Sequence, residues 1–203
     1  MNPTKISLSK QEMQLVTNAD WILTKNGIIQ KVKWLLGTLQ AKQEACLQSH
    51  KKHLPAEVLK PSPKISRGEN YKGLPYLVLD CPRYFHKENI FAIRTMFWWG
   101  NFFSITLHLS GKYKKMYEEK LIASFKALQE KDFFVCVGMQ EWEHDFEKPN
   151  YIPVKELSKM RFRQLIQKCP FIKVGQKIPL QEWNTVQKIL FGYFRRMLEI
   201  LPA

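Results

Sequence analysis

The spacing of apolar positions changes twice along the chain, from helical at its start to alternating in its middle and back to helical at its end. Ser9 followed by Glu12 has the form of a capping box and predicts a short first helix. After "TNAD", Ile28, Val32, Leu35, Leu36 and Leu39 recur at helical spacing, with Lys31, Lys33, Gln40 and Lys42 on the wet side. Gly27 and Gly37 weaken this helix locally. It should end near "QSHKKHLP", because the residue before Pro55 is pushed out of the α region. "LKPSPKISRGENYKG" is the clearest break, with a short edge strand expected at 64–67.

From Leu74 the period is two. "LPYLVLD" predicts a strand and "CPRYFHKEN" the turn after it. "IFAIRTMFWW" and "NFFSITLHLS" predict a hairpin around Gly100-Asn101. A helix follows, with Tyr117, Leu121, Phe125 and Leu128 on one face, and "FFVCVGM" returns to strand. "QEWEHDFEKPNY" reads as a polar acidic loop, "SKMRFRQLIQKC" as a helix stopped by Pro170, and "FIKVGQKIP" as a short strand or an irregular link. The last helix, over 180–201, carries Trp183, Val186, Leu190, Phe194, Met197 and Leu201 as a wide apolar stripe. The order predicts one α+β domain with a mainly antiparallel sheet and a central aromatic hairpin, packed by N-terminal and C-terminal helices. Its parts are a helical layer over 1–60, a sheet-rich middle over 64–140 and a helical part over 150–203.

With Gly100-Asn101 as a two-residue loop, Trp99 would face Phe102 and Arg94 would face Leu107. Arg94 then shares a face with Ala92, Met96, Trp98, Phe103, Ile105, Leu107 and Leu109. The other face gathers Phe91, Ile93, Thr95, Phe97, Trp99, Phe102, Ser104, Thr106 and His108. A one-residue slip would exchange these sets. Stacked aromatics on an open sheet would suit single-stranded nucleic acid. The basic glycine–aromatic pattern of an RNA-recognition sheet is absent, so helices roofing both faces are the favoured expectation.

Charge adds a second theme. Thirty-two Lys plus Arg stand against eighteen Asp plus Glu, a net of +14 over 203 residues. Residues 1–70 carry eleven basic and five acidic side chains, 71–150 eleven and ten, and 151–203 ten and three. The basic ends suggest an acidic partner or nucleic acid, though such a field also serves solubility. Cys46, Cys81, Cys136 and Cys169 show no metal-type spacing and read as reduced thiols. No cofactor or metal is expected. The opening residues lack a signal-like apolar run and no window suits a membrane span, so the expectation is a cytoplasmic protein with no membrane partner.

Candidate chemistry is sparse. Arg94 on an apolar face needs an anion, either a carboxylate such as Asp80 or a ligand. His108 lies near Ser104 and Thr106, without a nucleophile elbow. Tyr71, Asp80 and Arg83 sit in the loop–strand–loop before the hairpin, where sites are often built. Glu141, Glu143, His144, Asp145 and Glu147 read as a solvated acidic loop in preference to an ion site. The ligand-binding candidates are therefore Arg94, His108, Tyr71, Asp80 and Arg83, although the assumed pairing puts Arg94 and His108 on opposite faces.

The succession "YKGLPYLVLD", a short link and an aromatic hairpin resembles small bacterial α+β proteins of unassigned activity. Tyr71, Lys72, Leu74 and Pro75 carry the similarity, over residues 64–140. It implies a fold and a bacterial cytosolic setting, and no catalytic residues. The expected function is a binding or accessory domain recognising an anionic partner through its basic terminal regions. The alternative is a small-molecule or anion pocket, or an enzyme, with its site at the sheet edge. Aromatics on more than one side of the last helix, Trp183, Phe191, Tyr193 and Phe194, also suggest a homodimer through that helix.

Overall fold

A computed structural model of the chain describes residues 6–201. Two helices open it, α1 (Lys10–Val16) and α2 (Ala19–Ser49), followed by strands β1 (Lys64–Tyr71), β2 (Leu74–His86), β3 (Asn89–Trp98) and β4 (Phe102–Ser110). Then come α3 (Gly111–Ala123), α4 (Phe125–Glu130), β5 (Phe134–Cys136), β6 (Tyr151–Pro153), α5 (Lys159–Lys168), β7 (Phe171–Pro179) and α6 (Val186–Ile200). The strands form a seven-stranded sheet in the order β1-β2-β3-β4-β7-β5-β6. All its pairings are antiparallel. This is the α+β fold with the aromatic hairpin at its centre.

The capping box at Ser9 and Glu12 forms as expected. In α2 the Asn18 side chain accepts from the Asp20 amide, and Ile29, Val32, Leu36, Leu39 and Leu47 are buried at steps of three, four and eight. The helix lies against β2 and α6. Gln43 shares its buried side, and its amide reaches no hydrogen-bond partner among the described residues. An unpaired buried amide opposes folding, so Gln43→Met should raise stability by about 1–2 kcal/mol. Thermal denaturation checks this; a lower melting temperature would show that the amide is satisfied.

Three elements resolve or overturn the sequence expectation. First, β2 runs through Cys81-Pro82, where a turn was predicted. A register shift between Asp80 and Arg83 absorbs the proline and pairing with β3 resumes. Second, "FIKVGQKIP", left open between a short strand and an irregular link, is a nine-residue strand inserted between β4 and β5. Gly175 lets it approach β4, since a Cβ there would lie 2.6 Å from the Ile105 carbonyl oxygen.

Third, the hairpin slips by one residue. Trp98, not Trp99, pairs with Phe102 across a loop of three residues. The Asn101 amide donates to the Trp98 carbonyl at 3.1 Å. Gly100 takes φ +72° at the position where such a turn requires a left-handed residue. The predicted faces are thereby re-sorted. Leu77, Ile93, Phe97, Phe103, Ile105, Leu107 and Val174 point to the face covered by helices and form the main core. Val78, Met96, Trp98 and Phe102 point to the other face and form a smaller cluster with Phe146 and Tyr151. Among the described residues, helices do not roof this second face. The loop over 137–150 covers it instead, and Trp98 is only 6% exposed.

Candidate functional site

The register places polar side chains of four neighbouring strands in two adjacent rows on the loop-covered face. One row runs Asp80, Arg94, Thr106 and Gly175; the next runs Arg83, Ala92, His108 and Lys173. Arg94 and His108 therefore share a face, which corrects the expectation that they lie on opposite ones.

Arg94 is fixed by two anchors. Its Nε donates to Asp80 Oδ1 at 2.7 Å and its Nη2 to Asp80 Oδ2 at 2.9 Å, a bidentate pair. Its Nη1 lies 3.0 Å from His144 Nε2. A guanidinium has no lone pair to offer, so His144 Nε2 is the acceptor and the ring is neutral with its proton on Nδ1. Burial, with Lys173 and Arg94 alongside, holds this imidazole well below its ordinary pKa. The rings of Phe85 and Trp142 flank the guanidinium at 5.8 and 5.9 Å.

His108 is buried at 4% exposure and bonded through Nε2 to Glu141 Oε1 at 2.7 Å. Burial lowers its pKa despite that carboxylate, and Lys173 and Arg94 push the same way. It stands edge-on to Trp142, with ring centroids 5.6 Å apart. Glu141 takes the Nε2 proton and leaves Nδ1 as the free acceptor, but among the described residues neither Ser104 nor Thr106 donates to it, so no nucleophile–base pair is assembled.

The acidic loop is bolted down, not solvated, because the sheet supplies donors for its backbone. Lys173, at 1% exposure, donates to the Glu141 carbonyl at 2.9 Å and to the Glu143 carbonyl at 2.5 Å. Burial lowers its pKa to about 8. The Tyr71 hydroxyl donates to Glu143 Oε2 at 2.8 Å and accepts from the amides of His144 and Asp145. Burial raises its pKa. Asp145 pairs with Lys72 and accepts from Asn150. Tyr71 is thus a clamp on the loop.

Beside this network a cavity of about 340 Å³ opens to solvent. Lys64, Asp80, Arg83, Lys87, Arg94 and Trp142 contribute to its lining. Arg83 spends its Nε on the Ser62 carbonyl at 3.0 Å. The structure thus brings Arg94, Asp80 and Arg83 into one cleft, puts His108 behind Trp142, and leaves Tyr71 outside as a support.

A larger cavity of about 680 Å³ lies at the hairpin end and includes Lys72, Lys148 and Lys177 in its lining. Each of these lysines already faces a carboxylate: Asp145, Glu156 and Glu147 respectively. In the smaller cleft Asp80 is the one carboxylate, and it is committed to Arg94. Charge therefore singles out the smaller cavity.

Sequence reasoning missed Lys64, Lys87, Trp142 and Lys173. Alternation of Phe171, Lys173, Gly175 and Lys177 was the available signal for Lys173, masked by apolar residues on the opposite face. All four thiols are free, and Cys81 and Cys136 are buried. Among the described residues no group of three or more His, Cys, Asp and Glu is arranged to hold a metal, and no helix is long and apolar enough to cross a membrane. No protein-family model matches the chain, and neither curated proteins nor solved structures give a significant match.

Proposed function

We propose that this protein binds a small anionic ligand, with a phosphate or carboxylate group, in the cleft between the β1–β2 edge and Trp142. The observation that carries this reading is the excess of cations there. Lys64, Arg83, Lys87 and Arg94 surround one cavity with a single, already paired carboxylate. Arg94 is the preorganised member, because Asp80 and His144 hold its plane while N–H groups remain for a ligand. Trp142 and Phe85 supply apolar walls.

Calorimetric titration with inorganic phosphate and with malonate tests the reading. At least one anion should bind with a Kd of about 1 mM or tighter and weaken as salt rises. Arg83→Ala/Lys87→Ala should reduce that affinity at least tenfold. Absence of heat with both anions, or an unchanged affinity in the double variant, would reject it. The rival reading, a polyanion held by the basic terminal thirds, rests on charge alone. It predicts oligonucleotide binding that Arg83→Ala/Lys87→Ala leaves intact.

A further inference from the structure

The N-terminal helical arm is built unlike the rest of the surface. No residue of α1 is buried, and none of α2 before Ile29. Yet both helices have side-chain N-caps, so the arm is a defined pair of helices. Between them lies a cavity of about 390 Å³ lined by Leu8, Glu12, Leu15, Val16, Trp21 and Ile22. Elsewhere on the arm Ile6, Met13 and Leu23 are 74%, 50% and 65% exposed.

We infer that this arm is a homodimerisation element that packs against the arm of a second copy of the chain. Area is the first argument. Half-exposed side chains of this size show on the order of 100 Å² each, so the eight apolar ones present roughly 800 Å², one partner's share of a standard interface. Monomers seldom expose a contiguous apolar patch that large.

Shape is the second. One short arm carries both an apolar groove and exposed apolar side chains. A twofold contact needs that combination, since whatever one copy inserts the other inserts in return. Charge is the third. Over residues 6–24 the arm holds one lysine, Lys10, against Glu12 and Asp20, in a chain whose net charge is +14. Helices that lie on anionic bilayers carry Lys and Arg on their polar face, and this arm does not. Meanwhile the start of α2, from Ala19 to Thr24, spans about 9 Å before Lys25 meets Glu69 of β1. Two arms can therefore meet with the basic bodies separated by more than the ~8 Å screening length. By contrast Trp183, Phe191 and Tyr193, candidates for contact through the last helix, already pack against the protein's own core.

Light scattering and sedimentation of the full chain, from about 1 to 100 µM, test the assignment. Wild type should move from 24.1 kDa toward twice that mass as concentration rises. Leu15→Glu/Ile22→Glu should stay at 24.1 kDa throughout, with an unchanged circular dichroism spectrum. The wild-type dilution series decides the matter alone should that variant misfold. Three results would overturn the inference. They are a wild type monomeric at the top concentration, a folded variant that still dimerises, and a monomeric wild type that co-sediments with phosphatidylserine vesicles.

Discussion

Asp80→Ala should lower stability by about 3 kcal/mol, the largest loss expected from a single substitution on the loop-covered face. The reason is the group left behind. Arg94 cannot shed its proton, and with Asp80 gone it stays on a sheet face under a packed loop with a neutral imidazole as its remaining anchor. Its side chain is 19% exposed, which keeps the loss at the lower end of the range for buried pairs. Removing both charges together should cost less than removing one, so Asp80→Leu/Arg94→Met should recover much of the deficit in urea denaturation. The proposed anion site sharpens the expectation. An anion in the cleft can replace the missing carboxylate, so phosphate should stabilise Asp80→Ala more than wild type, by mass action on a tightened site. Equal stabilisation of the two proteins would separate Arg94 from the ligand and leave the pair purely structural.

The fold class was legible because the apolar period changes where the structure changes, and because strong local signals survive: the capping box at Ser9, the Gly100 turn, the stripe on α6. The site was not legible, for a geometric reason. A β-hairpin sorts its side chains by turn length, and one extra residue in the loop moves Arg94 from the side of Leu107 to the side of Thr106. Composition cannot decide between two and three residues around Gly-Asn when aromatics flank the turn on both sides. The pair Asp80–Arg94 was nameable as a charge match. The meeting of Arg94 with His108 depended on a register that the residues do not print.

A second kind of information was hidden in the loop over 137–150. Its acidic string looks solvated when read alone, since nothing local reveals that Lys173 and Tyr71 wait on the sheet to bind its backbone. Both belong to elements distant in sequence, and Lys173 sits in a segment that reads equally as a short strand or an irregular link. Polar residues far apart in the chain, each unremarkable, form the site only through sheet order β2-β3-β4-β7.

Acid should destabilise this protein sooner than carboxylate titration alone would. His108 and His144 both have folded-state pKa values pushed below 6.5, chiefly by burial, with Lys173 and Arg94 adding to the effect. The unfolded chain therefore binds protons at these rings before the folded one does, and stability falls as pH drops below about 6.5. An imidazole that stays neutral in the folded state down to pH 5 contributes about 2 kcal/mol to that fall. Lys173 acts in the same direction in a separate window. Its folded pKa of about 8 lies below its unfolded value, so the penalty of burying its charge is complete below pH 8 and fades as pH rises toward about 10.4. Urea midpoints should accordingly rise from pH 5 to 7; between pH 8 and 10 the gain from Lys173 is opposed by the four thiols, whose pKa values burial raises. In His144→Gln, whose side-chain oxygen can still accept from Arg94, the rise from pH 5 to 7 should shrink by about half. In Lys173→Met the opposing gain is gone, so its midpoint should fall further than that of wild type from pH 8 to 10. The loop ought to respond first, because protonated His144 would face the Arg94 guanidinium it now accepts from. Amides over 139–147 should exchange hydrogen faster at pH 5 than at pH 7 in wild type, and less so in His144→Gln. An acid response identical in wild type, His144→Gln and His108→Gln would mean that the two rings are not the buried neutral bases on which the cleft's electrostatics depend.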